Sequence, residues 1–190
     1  MSTDNLFIVS GTGPRNIQNR EHVAEQVEAI LVELLTEHGD KLRVLSGGAQ
    51  GFDHLLAIVA KKLGIPYSLV LPNQTFPSYY WGGKDKNSDG TNRMAEFNMM
   101  AEGATKIRIV TENIFVTHPD GTREHANFFR NTKLVKYADL VLAGVTSIED
   151  ATSGTANTIA KAVKAGKPIR YLPSNKSTDE FDWTERAVFE

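Results

Sequence analysis

The run Leu42-Arg43-Val44-Leu45-Ser46-Gly47-Gly48-Ala49-Gln50-Gly51-Phe52-Asp53-His54 reads as a strand, a glycine-rich turn and the first turn of a helix. The apolar residues stop at Ser46, and an amphipathic run continues to Leu63. Glycine at such a turn takes positive φ and lets the backbone approach a ligand with no Cβ in the way. The amide groups that open the helix then point at a ready anion site. No Gly-Lys-Ser/Thr follows, and the spacing is not G-x-G-x-x-G, so neither the Walker pattern nor the dinucleotide fingerprint applies. The turn is either a phosphate cradle of another nucleotide-binding lineage or a tight turn and no more.

On both sides of this run, apolar strands alternate with amphipathic segments. Leu6-Phe7-Ile8-Val9 is a short apolar strand. Over 21–38, Val23, Val27, Ile30, Leu31, Leu34 and Leu35 recur at helical spacing, so one stripe of that helix faces a sheet. Pro66 begins a third strand that ends at Leu71. Two successive β-α-β units imply parallel pairing with right-handed crossovers. Further strands are expected over 106–110, 139–143 and 168–172, and helices over 93–101, 124–137 and 153–165. The fold expected is α/β, a Rossmann-like doubly wound, mostly parallel sheet with helices on both faces. It forms one domain over 1–190, with an insertion at about 73–104 and a C-terminal tail at about 174–190. The segment 73–90 breaks the rhythm with Gly, Asn, Ser and the aromatic residues Phe76, Tyr79, Tyr80 and Trp81, as a functional lid does. The tail carries Phe181, Trp183, Val188 and Phe189, which can dock on the body or on a second subunit.

Composition narrows the partners. The 190 residues are 41% hydrophobic, enough for one sizeable core. A net charge of −2 and a pI near 6.2 give no overall pull toward nucleic acid, although a local basic groove remains compatible. With no cysteine there is no disulfide, thiolate nucleophile or thiolate metal site. His22, His38, His54, His118 and His125 lack a two-histidine metal spacing and read as surface or packing imidazoles. No metal and no cofactor are expected. Neither a signal-type N-terminus nor a run long enough to cross a bilayer is present, which gives the expectation of a soluble cytoplasmic protein with no membrane partner.

The unusual residues fall beyond the carboxyl ends of strands. Gly11-Thr12-Gly13-Pro14-Arg15 follows the first strand, the quoted turn follows the second, and Ser153-Gly154-Thr155 follows the fifth. Ligands of open α/β sheets bind at that edge, where strand order reverses. Arg15 and Arg130 are candidates for bidentate phosphate contacts. Each feature also has a plain structural use. Glycine turns occur without ligands, Asp53 can stabilise its helix start, Ser153 or Thr155 can serve as an N-cap, and Arg130 can make a surface ion pair. Aromatic residues 76–81 can simply pack.

Taken in order, Gly11-Thr12-Gly13-x-Arg15, Ser46-Gly47-Gly48-Ala49-x-Gly51-x-Asp53, Arg130-Asn131 ahead of 137–143, Ser153-Gly154-Thr155 and Ala162-x-x-Ala165-Gly166-Lys167-Pro168 resemble the SLOG superfamily. That group includes the Rossmann-like domain of DNA-processing protein A, the Lonely Guy phosphoribohydrolases and small nucleotide-sensing domains. The resemblance covers about 6–172 and is specific to the superfamily rather than to a subfamily. It implies a nucleotide or nucleotide-derived ligand on Gly11, Thr12, Gly13, Arg15, Ser46, Gly47, Gly48, Gln50, Gly51, Asp53, Arg130, Asn131, Ser153, Gly154 and Thr155. Lonely Guy enzymes carry paired glutamates just after their Gly-Thr turn, where this chain has Ala156-Asn157-Thr158. A carboxylate is what N-glycosidic cleavage requires, so only Glu149 and Asp150, just before the turn, remain as catalytic candidates. The second turn and Arg130-Asn131 look closer to DNA-processing protein A, whose domain binds single strands. Lys84, Lys86 and Arg93 beside the aromatic residues are compatible with that use. The expectation is therefore a binder of a nucleotide-derived small molecule, with a phosphoribohydrolase and a single-stranded DNA binder as alternatives. Self-association into a homo-oligomer is also implied.

Overall fold

The computed structural model describes residues 6–17, 19–82, 93–146, 149, 151 and 153–172. Asp150, Lys84, Lys86 and the tail from 173 lie outside these. The strands β1 (Phe7–Thr12), β2 (Leu42–Ser46), β3 (Tyr67–Leu71), β4 (Lys106–Ile109), β7 (Leu140–Ala143) and β8 (Ile169–Tyr171) form one sheet in the order β4-β3-β2-β1-β7-β8. Every pairing in it is parallel. The chain runs from β1 outward to β4 at one edge, then returns across the sheet to β7 on the other side of β1. Strand order therefore reverses between β1 and β7, and the crevice opens there.

Helices cover both faces. On one face lie α1 (Arg20–His38), α2 (Phe52–Lys62) and α4 (Arg93–Gly103); on the other lie α5 (Ala126–Tyr137) and α6 (Ser153–Lys164). Val23, Val27, Ile30, Leu31 and Leu34 of α1 are buried, as their spacing requires. Each fully buried aliphatic side chain of this kind contributes about 1.5–3 kcal/mol over leaving it exposed. The larger core contains these residues together with Phe52, Leu56 and Leu69, while Val135, Val141, Ile159 and Ala162 lead the smaller core under α5 and α6.

Two elements depart from the expected pattern. The aromatic segment folds in part as a short helix, α3 (Phe76–Tyr80), packed onto the body. Phe76 and Trp81 are buried, whereas Tyr79 is 84% exposed. Between β4 and α5 stands an antiparallel hairpin, β5 (Phe115–Thr117) with β6 (Arg123–His125), which the apolar pattern did not suggest. This hairpin absorbs Glu124 and moves the start of α5 to Ala126, two residues beyond the expected helix start.

Candidate nucleotide site

A cavity of about 580 Å³ lies at the β1/β7 reversal. The end of β1 contributes Gly11, Thr12, Gly13 and then Arg15. From α2 and its turn come Ala49, Gln50 and Asp53, and from α3 come Phe76 and Tyr80. The start of α5 adds His125, Asn127, Phe128, Arg130, Asn131 and Leu134, and the start of α6 adds Ser153, Gly154, Thr155 and Thr158. Three helices thus turn their N-terminal ends toward one space, and their aligned dipoles favour negative charge there. Eleven of the expected ligand residues line it; Ser46, Gly47, Gly48 and Gly51 do not.

Those four residues build the turn from within. The Ser46 hydroxyl donates to the Asp53 carbonyl at 2.8 Å and accepts the Gly48 N–H at 3.1 Å. The Gly48 carbonyl, in turn, accepts the Trp81 indole N–H at 2.8 Å. Gly51 has φ +80°, and a Cβ there would run into the Pro14 and Arg15 backbone. The Phe52 N–H already donates to the Pro14 carbonyl at 3.2 Å. At Gly47, the space a side chain would fill is held by the Arg130 guanidinium and the Asp53 carboxylate. Close backbone approach is indeed what these glycines provide, and protein groups occupy the space they leave.

Arg130 and Asp53 form the centre of this closed region. Arg130 Nη1 donates to the Gly47 carbonyl and stands 3.7 Å from Asp53 Oδ2, while Nε donates to Asn131 Oδ1 at 2.9 Å. Asn131 passes the link on, donating to the Gly154 carbonyl at 3.4 Å and to Asn157 Oδ1 at 3.3 Å. Both charged residues are buried, at 7% exposure each. Burial pushes the Asp53 carboxyl above its ordinary range, against the pull of Arg130 and of the Ala49 N–H. Burial likewise pulls Arg130 down, with Asp53 opposing it. Arg130 is therefore an internal tie between α2, α5 and α6 rather than the surface ion-pair residue that sequence allowed. Gln50 is similarly engaged, donating to the Tyr80 carbonyl at 3.1 Å and accepting from Arg93 at 2.5 Å.

The rest of the lining is built differently. Arg15 is exposed, lies 4.6 Å over the Tyr80 ring and donates from Nε to the Tyr80 hydroxyl at 3.0 Å. Tyr80 stacks on Phe76 at 4.7 Å, which makes a flat aromatic wall. At Gly154 a Cβ would meet nothing within 4 Å. Asp53 is the one carboxylate lining the cavity among the described residues. Glu149 sits exposed in the turn after β7 and does not line it. No group of three or more His, Asp or Glu close enough to hold a metal ion occurs among the described residues, nor does a helix long and apolar enough to cross a membrane. His54 is a packing imidazole, edge-on to Trp81, and its Nδ1 accepts from Arg20 Nη2 at 3.0 Å. Burial, with Arg20 beside it and Glu96 opposing, holds its pKa down to about 4.

Sequence reasoning missed His125, Asn127, Phe128, Leu134, Thr158 and Ala49 as cavity residues, and had Phe76 and Tyr80 only as members of a lid segment. Tyr80 and Phe76 were visible as an aromatic cluster, and Pro119-Asp120-Gly121 was a turn signal for the hairpin that places His125.

No family model matches the sequence, and no curated protein sequence matches it. Solved structures do share its fold. DNA processing protein A from Helicobacter pylori, described for its single-stranded DNA binding mode, aligns at a TM-score of 0.56 and 20% identity over 95% of this chain and 71% of its own. DNA processing protein A from Streptococcus pneumoniae aligns at 0.54 and 16% identity, over 93% of this chain and 53% of its own. This chain thus spans about half of that longer protein. The protein TM1055 aligns at 0.51 and 17% identity, over 86% of this chain and 72% of its own. The resemblance drawn from the motifs is borne out in the fold, an α/β Rossmann-like sheet.

Proposed function

We propose that this SLOG-like domain binds a nucleotide or nucleotide-derived small molecule in the cavity between β1 and β7. One observation carries the reading: among the described residues, several acceptors on the cavity wall are already engaged by the protein's own donors, while donor-bearing residues line the same space. Asp53 faces Arg130 and accepts from Ala49, Gln50 Oε1 accepts from Arg93, and Asn131 Oδ1 accepts from Arg130. Arg15, Ser153 and the opening turn of α6 line the same space. Such a wall suits an acceptor-rich anion. Phosphate then sits between Gly11–Gly13 and the Ser153-Gly154-Thr155 turn, with Arg15 swinging over it, and the base or ribose lies along Phe76, Tyr80 and Phe128.

Binding is preferred to hydrolysis because the lining carboxylate, Asp53, is tied to Arg130, and Glu149 stands outside the cavity. The test is thermal unfolding against nucleoside mono-, di- and triphosphates, cyclic nucleotides, ADP-ribose derivatives and short single strands, with product analysis. A true ligand at a hundredfold excess over its Kd stabilises by about 2.7 kcal/mol and is recovered intact. Release of free base would make the protein an N-glycosidase. Stabilisation by single strands with a steep salt dependence would favour the nucleic-acid reading, the use described for the Helicobacter pylori protein of the same fold.

A further inference from the structure

We infer that His125 reads the base of the bound nucleotide through its Nε2–H, an inference that rests on the binding function proposed above. His125 ends β6 and is the N-cap residue of α5, where its Nδ1 accepts the Asn127 N–H at 3.1 Å. A ring nitrogen that accepts carries no hydrogen, so the neutral imidazole bears its proton on Nε2, at the far side of the ring from the helix backbone. The residue lines the cavity together with Phe76, Tyr80 and Phe128.

The hairpin fixes this ring on several sides. Phe115 of β5 meets it edge-on at 5.3 Å, and Phe128 does so at 6.4 Å. The Ala126 N–H donates to the Ile114 carbonyl at 2.8 Å. Beside it, Glu124 binds His118 at 3.2 Å and Lys161 of α6 at 2.7 Å, anchoring β6 to that helix. A donor held by a cap, two rings and an anchored strand is pre-positioned, which is how a site discriminates ligand atoms rather than merely attracting charge. The anion belongs at the Ser153-Gly154-Thr155 side, so the acceptor presented to His125 is a ring nitrogen or carbonyl oxygen of the base.

The capping role and the reading role can be separated. Asparagine is among the best N-caps but is too short to replace Nε2, whereas glutamine reaches further and caps poorly. Calorimetric titration of wild type, His125→Asn and His125→Gln with the adenosine, guanosine, cytidine and uridine 5′-monophosphates and with ribose 5-phosphate makes the test. In His125→Asn the melting temperature stays at the wild-type value and affinity for the preferred monophosphate falls about three- to tenfold, while ribose 5-phosphate binds as before. His125→Gln melts earlier but recovers part of the affinity. Unchanged affinity in His125→Asn, or an equal loss for ribose 5-phosphate, overturns the base-reading role and leaves the cavity function standing. Wild-type protein that binds none of the five, nor any nucleoside di- or triphosphate, cyclic nucleotide or ADP-ribose derivative, overturns the underlying function itself.

Discussion

Two glycine turns at the same sheet edge are filled in opposite ways. After β2, the glycines admit the protein's own groups: the Arg130 guanidinium and Asp53 carboxylate at Gly47, and the Pro14–Arg15 backbone at Gly51. At the start of α6, the space beside Gly154 is open within 4 Å and borders the cavity. The glycines of the richer motif are thus closed against the protein's own groups, and the plainer Ser-Gly-Thr turn is the one with open space beside its glycine. Glycine content signals close backbone approach, and only the fold tells what approaches.

The largest effect that can break this contrast is expected from Arg130→Ala. It strands the buried Asp53 carboxylate and removes the donors to Gly47 and Asn131, so urea unfolding should show a loss of about 3–5 kcal/mol. Replacing both members, as Arg130→Met with Asp53→Leu, should restore much of that loss. If Arg130 were mainly a ligand clamp, the single variant would keep its stability and lose only binding.

Acid should loosen the same closed turn through His54, which packs on Trp81, the donor to the Gly48 carbonyl. Its folded-state pKa of about 4 lies below the unfolded value near 6.5, so unfolding takes up a proton at low pH. Stability is full above about pH 6.5 and falls as pH drops toward 4, by up to about 3 kcal/mol at about 1.4 kcal/mol per unit. Chemical denaturation at a series of pH values, with His54→Phe as the flattened control, measures it.

Smaller still is the difference between two alanine substitutions. Gly47→Ala forces a Cβ against Arg130 and Asp53 and should cost about 1–3 kcal/mol. Gly154→Ala meets nothing within 4 Å in a helical position and should be neutral or stabilising by about 0.5–1 kcal/mol. Equal destabilisation by the two would erase the distinction between the turns.

What was legible in the sequence followed the strength of local pattern. Helix α1 was announced by five buried residues at 3.6-residue spacing, and the parallel strands by short apolar runs after turns. The β5–β6 hairpin was not, because its three-residue strands are partly exposed and carry no apolar alternation beyond Phe115 and Val116. With the hairpin unseen, His125 fell inside the helix expected over 124–137 and had no reason to be read as an N-cap lining a cavity. Arg130 and Asp53 were both picked out, yet their union was invisible: 77 residues of chain separate two groups whose burial depends on the whole sheet. Gln50 was noted for its position, while its tie to Arg93 depends on how α4 packs.

The most direct test places a charge where the ligand's anion should lie without disturbing the fold. Aspartate in the first turn of α6 favours the helix dipole and has room at Gly154, so Gly154→Asp should melt at or above the wild-type temperature. Thermal unfolding of both proteins with the nucleoside monophosphates should then show a ligand-induced rise for wild type and none for Gly154→Asp. An undiminished rise in the variant would contradict the account, since the anion would then be held elsewhere.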